Sequence, residues 1–157
     1  MAENPREAFR SLSTFGGRVI RGTARAVERR MNELGDAGIA HVVGRLQLRC
    51  FQVLTSGTPV DKGTARSGWT PSTGGPTTTP ITAPSDEGQA KAEAAQRFAE
   101  NQAKAEELAR TYRVNLGPAF LSNPVPWIVP LNMGTSSQAP SMFVEQGLAT
   151  AVQSVNL

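Results

Sequence analysis

Asn123-Pro-Val-Pro-Trp-Ile-Val-Pro-Leu-Asn-Met-Gly-Thr-Ser-Ser-Gln-Ala-Pro140, followed by Met142-Phe-Val-Glu-Gln-Gly-Leu148, decides how the rest of the chain is read. From Val114 to the C-terminus Glu145 is the only charged side chain. Pro118, Pro124, Pro126, Pro130 and Pro140 interrupt an apolar string that includes Trp127, Ile128, Val129 and Leu131. A surface so poor in charge is usually covered. The cover is either the domain's own helices or a neighbouring copy, because the cores of subunit interfaces are depleted of charge and enriched in aromatics and Met. If a neighbouring copy covers it, Trp127, Ile128, Leu131, Met133, Met142 and Phe143 are the interface residues.

Working outward, Val114-Asn-Leu-Gly117 and Trp127 to Leu131 read as two strands joined by a proline-rich loop, with Pro124, Pro126 and Pro130 confining them to edge or irregular positions. Gly134 to Pro140 is a loop. Ser141 stands where it would cap a last helix running through Met142, Val144, Leu148, Ala151 and Val152.

Upstream, Gln89 to Arg113 is rich in Ala, Glu, Lys and Arg, with Ser85 or Asp86 available as cap. Glu93/Arg97, Glu100/Lys104 and Glu106/Arg110 are each spaced four apart in the order that favours a helix. Ala94, Phe98, Ala105, Leu108 and Tyr112 form a narrow apolar seam that fits a sheet, and it is too short and too alanine-rich for a coiled coil. Pro71 to Glu87 is dominated by Pro, Thr, Ser and Gly and reads as a flexible excursion. A connection this long inside a compact domain is either a functional arm or disordered.

Gly57-Thr-Pro-Val-Asp-Lys-Gly63 combines a φ-fixing proline, an Asp that bonds its own turn and a glycine that tolerates φ > 0, so the chain turns there. A strand is expected next, at Ala65 to Thr70, with Trp69 as a core or sheet-face residue. Further back, Ile39, Val42/Val43, Leu46, Cys50 and Val53/Leu54 keep a helical period, as do Ile20, Ala24, Val27, Met31 and Leu34. Gly35 is the expected break between them, Asp36 the expected N-cap, and Gly38 and Gly44 each weaken a helix interior by roughly 1 kcal/mol relative to Ala. Residues 1–13 are polar with little period and read as an arm that orders against a partner.

Opposite the first stripe, Arg18, Arg21, Arg25 and Arg29 recur at three- and four-residue steps. This ridge faces DNA, an acidic partner or solvent. Glu28 and Glu33 dilute its field, and no aromatic interleaves it as a base-stacking platform requires.

The quoted C-terminal order resembles the signature of the tailed-bacteriophage neck and tail-completion proteins of the HK97 gp10-like family. There an aromatic near N-x-x-P leads to (E/N)-x-G-(T/Y)-S-x-Q-A-P and then a helix. Pro59-Val-Asp-Lys-Gly-Thr-Ala-Arg-Ser-Gly-Trp69 resembles the same family's P-V-D-T-G-x-(L/A)-R strand entry, with Lys62 where Thr is commoner. The chain departs from the family at Asn132, often Glu there, and at Trp127, often Tyr. The resemblance implies a virion structural protein of the neck: a head-tail connector or tail-completion subunit forming a homo-oligomeric ring of six- or twelve-fold symmetry. Its partners would be adjoining neck, portal-adaptor or tail-terminator and tube proteins, with genomic DNA passing through without sequence-specific contact. Such a protein is assembled in the host cytoplasm and resides in the virion.

Composition bounds the alternatives. The 157 residues suit one domain (1–157), carry a formal net charge of +3 and hold one Cys and one His. No apolar run reaches membrane-span length, and the N-terminus lacks a secretory h-region. Nine arginines precede Phe51 against five acidic residues there, an asymmetry that permits a polyanionic partner. Cys50 and His41 offer no disulfide or metal-ligand set. No G-x-S-x-G accompanies His41, and Gly134-Thr-Ser-Ser lacks the lysine of a phosphate loop, so neither catalysis nor a cofactor is expected. The expected fold is α+β: long N-terminal helices and a second helix on a small antiparallel sheet, with a C-terminal helix. The competing function is a small basic nucleic-acid-binding protein, which lacks a recognisable reading motif.

Overall fold

The computed structural model describes Arg25, Glu28, Arg29 and residues 32–155. The expected arm at 1–13 lies outside them, as do Arg18 and Arg21 of the ridge. Arg25, Glu28, Arg29, Asn32 and Glu33 are helical, and Gly35 separates them from helix α1 (Asp36–Gly57). Gly35 itself is the N-cap, with extended φ −73° and ψ 173°, so Asp36 is the first helical residue rather than the cap.

α1, and not the charge-poor C-terminal stretch, is the element around which the chain is built. Its apolar residues point in several directions at once. Ile39, Ala40 and Val43 meet Tyr112; Phe51 and Leu54 meet Trp69, Ala105, Ala139 and Phe143; Leu46 and Cys50 meet Ala151 and Val155. Helix α3 (Glu87–Thr111) packs along one side of α1, and the C-terminal helix α5 (Phe143–Ser154) along another. Two glycines set these approaches. A Cβ at Gly44 would stand 2.8 Å from the carbonyl oxygen of Ala109 in α3, and one at Gly147 of α5 would stand 2.8 Å from Leu54 Cδ2.

A two-stranded antiparallel sheet, β1 (Thr70–Thr73) with β2 (Ala119–Ser122), covers a third side, in register Thr70↔Ser122 and Ser72↔Phe120. Buried Gln47 of α1 ties the sheet to the helix: its Nε2 donates to Ser72 O at 3.1 Å and to Phe120 O at 2.7 Å, one carbonyl from each strand. The architecture is α+β, as expected.

Three expected strand positions are corrected. Thr64–Ser67, which overlaps the first half of the strand expected at Ala65 to Thr70, forms a single helical turn, α2, after Gly63 at φ +85°; Ser67 N–H bonds Gly63 O at 2.9 Å. Val114–Leu116 is a 3-10 turn, because the Tyr112 hydroxyl donates to Gly117 O at 2.8 Å and folds the chain back before β2 begins. The Trp127 to Leu131 stretch is helical: Ile128–Pro130 forms the short α4, continued by a wide turn over Leu131–Thr135. Proline explains this, since its ring holds φ at a helical value and the missing N–H costs nothing in a first turn. Pro130 sits at φ −53° and ψ −43° while Leu131 N–H bonds Trp127 O at 3.1 Å.

α3 runs close to its expected span, with Asp86 Oδ1 accepting from Gln89 N–H at 2.7 Å. Its carboxylates bond differently from expectation. Glu93, Glu100 and Glu106 accept from Gln89, Gln96 and Gln102, four residues earlier, at 2.9, 2.8 and 3.1 Å. The Pro71 to Glu87 segment begins in β1 and ends in α3. Between them, Gly74 N–H bonds Pro118 O, Thr77 N–H bonds Ser122 Oγ and Ile81 N–H bonds Pro124 O, at 3.1, 3.0 and 3.4 Å. The connection is therefore laid along the outside of β2.

Candidate functional site

The segments that carried the resemblance, 59–69 and 123–140, lie against each other. α2 and α4 hold them in place. Asn123 Nδ2 donates to Ala65 O at 2.8 Å, and Val60 N–H donates to Gln138 Oε1 at 3.1 Å. A cleft of about 260 Å³ opens between them, walled by Pro59, Asp61, Lys62, Trp127, Leu131 and Gln138. Trp69 stands beneath this region at 5% exposure, its Nε1 donating to Thr58 Oγ1 at 2.8 Å, and is a core residue.

The six expected interface residues divide. Trp127 (37%), Met133 (74%) and Met142 (49%) are exposed, joined by Val129 (57%), which the sequence reading passed over although it precedes Met133 by one helical turn. Ile128 and Leu131 are half-buried against the Phe51 cluster. Phe143 is 5% exposed and belongs to that cluster outright, so in the single chain it is a core residue. Alternation around the α4 turn explains the split: Ile128 and Leu131 face inward, and Val129 and Met133 face outward.

Met142 holds φ +60°, the left-handed region that a non-glycine residue enters at some cost. Its N–H donates to Asn132 O at 2.6 Å, which anchors that conformation at the start of α5. The expected Ser141 cap does not form. The cap comes from Asn132 instead, whose Oδ1 accepts from Val144 N–H at 2.9 Å while Nδ2 donates to Glu145. The only charge in the stretch is thereby held by an amide beside the apolar surface.

Arg25 and Arg29 are exposed and helical, one turn apart. His41 is exposed on α1, and Cys50 is buried, its thiol pushed up to about 12 by desolvation and so protonated at neutral pH. Among the described residues no group of three or more His, Cys, Asp or Glu is placed to hold a metal, and no helix is long and apolar enough to cross a membrane. No protein-family model matches the chain, and no curated protein or solved structure is significantly similar to it.

Proposed function

We propose that this chain is a structural virion protein of a tailed phage, a neck subunit (head-tail connector or tail completion) that forms a ring between the head-side connector and the tail tube. The observation that carries the reading is the surface of Trp127, Val129, Met133 and Met142, four large exposed apolar side chains in a stretch whose single carboxylate is bound by Asn132. A surface of this kind suits burial against a second protein. Self-association into a closed ring repeats one such contact around the symmetry axis. The two segments that resemble the neck family also pack into one cleft beside this surface. Adjoining neck, portal-adaptor or tube proteins would sit above and below the ring, and the arginine ridge would line the channel for DNA or meet an acidic neighbour.

The test replaces Val129 and Met133 together by Asp. The variant is expected to keep its circular dichroism spectrum, run as a monomer in light scattering, and leave heads and tails unjoined in a complementation assay. Rings or joined particles at wild-type yield from this variant would sink the reading. Tight DNA binding by the monomer, weakening steeply with salt, would replace it with the nucleic-acid-binding one.

A further inference from the structure

A second cleft, of about 380 Å³, lies on the other side of the 60–67 segment, between it and the first half of α3. Arg66 of α2 lines it. The guanidinium carbon stands over the Phe98 ring, 5.1 Å from its centroid, a cation–π contact. Arg66 Nε is buried and hydrogen-bonds to no group among the described residues. A buried donor without an acceptor is costly, and each such group calls for an explanation. Lys62 and Lys91 also line the cleft, with Asp61 as the acidic member of the lining. Lys91 Nζ is 2.6 Å from Glu87 Oε1, and Arg97 donates to Ser67 Oγ at 3.2 Å, so both of these cations have partners of their own.

We propose that this cleft is a carboxylate-binding site in which Arg66 recognises an acidic side chain of a partner protein segment, with Lys62 and the Glu87-bonded Lys91 beside it. A guanidinium held over an aromatic ring has less side-chain freedom to lose on binding, and its fork of donors matches the two oxygens of a carboxylate. The remaining walls, Val60, Ala94, Ala95 and the Phe98 ring, suit the methylenes of a Glu side chain. A nucleic acid fits less well. The one aromatic face in the cleft, Phe98, lies under Arg66 and is closed to stacking bases. The proposal does not rest on the virion reading.

Fluorescence anisotropy of a labelled pentaglutamate peptide, titrated with the full chain, tests the proposal, with pentaglutamine and a five-nucleotide oligothymidylate as comparison probes. Pentaglutamate is expected to bind and pentaglutamine not. Arg66→Gln and Arg66→Lys are both expected to weaken binding by roughly tenfold or more, since lysine lacks the planar fork. Arg110→Gln, at the far end of α3, should change nothing. If the Arg66 variants lose their circular dichroism signal, the double variant Lys62→Gln/Lys91→Gln decides, because the Lys91 side chain is 59% exposed and its loss leaves the core intact; weaker binding is again expected. Absence of pentaglutamate binding by the folded wild type overturns the proposal. So does unchanged binding in folded Arg66→Gln or in the double variant, or oligothymidylate binding that is equally strong and equally dependent on Arg66.

Discussion

Asn132 Nδ2 donates to both carboxylate oxygens of Glu145, at 3.1 and 2.9 Å, across thirteen residues of sequence, while its Oδ1 takes the Val144 N–H. One amide thus satisfies a donor at the open end of α5 and the only charged side chain of the C-terminal stretch. Asn132→Ala removes both functions and is expected to cost about 1–2 kcal/mol, a drop of roughly 3–6 °C in thermal midpoint by calorimetry. Asn132→Asp keeps the acceptor but sets a second carboxyl against Glu145, so it is expected to be no more stable than the alanine variant. A midpoint equal to wild type in both would show that the bridge does not hold α5.

Phe143 and Trp127, grouped together in the sequence, are expected to behave in opposite ways. Phe143→Ala empties a site in the Phe51–Leu54–Trp69 cluster and should cost about 3–5 kcal/mol. Trp127 is over a third exposed, and its replacement by Ala should cost about 1 kcal/mol and leave a folded chain. Urea unfolding followed by circular dichroism separates the two; equal losses would mean that Trp127 is as deeply packed as Phe143.

Gly44→Ala should destabilise, although helix propensity alone favours Ala by about 1 kcal/mol. The new methyl carbon would lie 2.8 Å from Ala109 O and 3.1 Å from Ala109 Cα, and backbone cannot swing aside as a side chain does. A thermal midpoint at or above the wild-type value would show that α1 and α3 separate without cost.

Stability should fall as pH rises above about 9, where a free thiol ordinarily titrates. Burial raises the thiol to about 12 in the folded chain, so the unfolded chain releases this proton first and gains stability relative to the native state. The group's contribution is fully present below pH 9 and is lost as pH rises toward 12, by up to about 1.4 kcal/mol per pH unit. Burial raises the Tyr112 hydroxyl above its ordinary range as well, which adds to the loss at pH values above about 10. The window from pH 9 to 10 therefore reports mainly on Cys50. Cys50→Ala should flatten the slope of stability against pH in that window, whatever it does to stability at neutral pH.

Shortening the 74–86 connection should depend on which residues go. Closing a shorter loop changes the free energy only slightly, about 0.6 kcal/mol per doubling of length, so removing exposed Thr78 and Thr79 should leave the midpoint nearly unchanged. A deletion that includes Thr77 and Ile81 takes away two of the bonds along β2 and should lower it measurably. Equal midpoints for the two deletions would show that these bonds contribute nothing.

Periodic helices were legible from sequence because their signal is local. The α3 pattern carried its own cap at Asp86, and the stripe from Ile39 to Leu54 marked the buried face of α1 whatever it packs against. The class, helices on a small antiparallel sheet, followed from these and the turn signals. Strand placement did not. Four-residue strands have almost no pattern of their own, and their positions were decided by distant groups: Gln47 bridging Ser72 and Phe120, and Tyr112 pulling back Gly117. The prolines of 124–130 excluded a central strand and suit a first helical turn, and the inward packing of Ile128 and Leu131 selected that turn over an irregular edge. The sequence likewise marked 127–143 as apolar without separating what the chain buries from what it exposes, since hydrophobicity is the same for Phe143 in the core and Met133 at the surface. That division, the meeting of segments 59–69 and 123–140 in one cleft, and the cation–π contact of Arg66 with Phe98 are products of long-range packing. They arise from contacts between residues tens of positions apart, which no local period encodes.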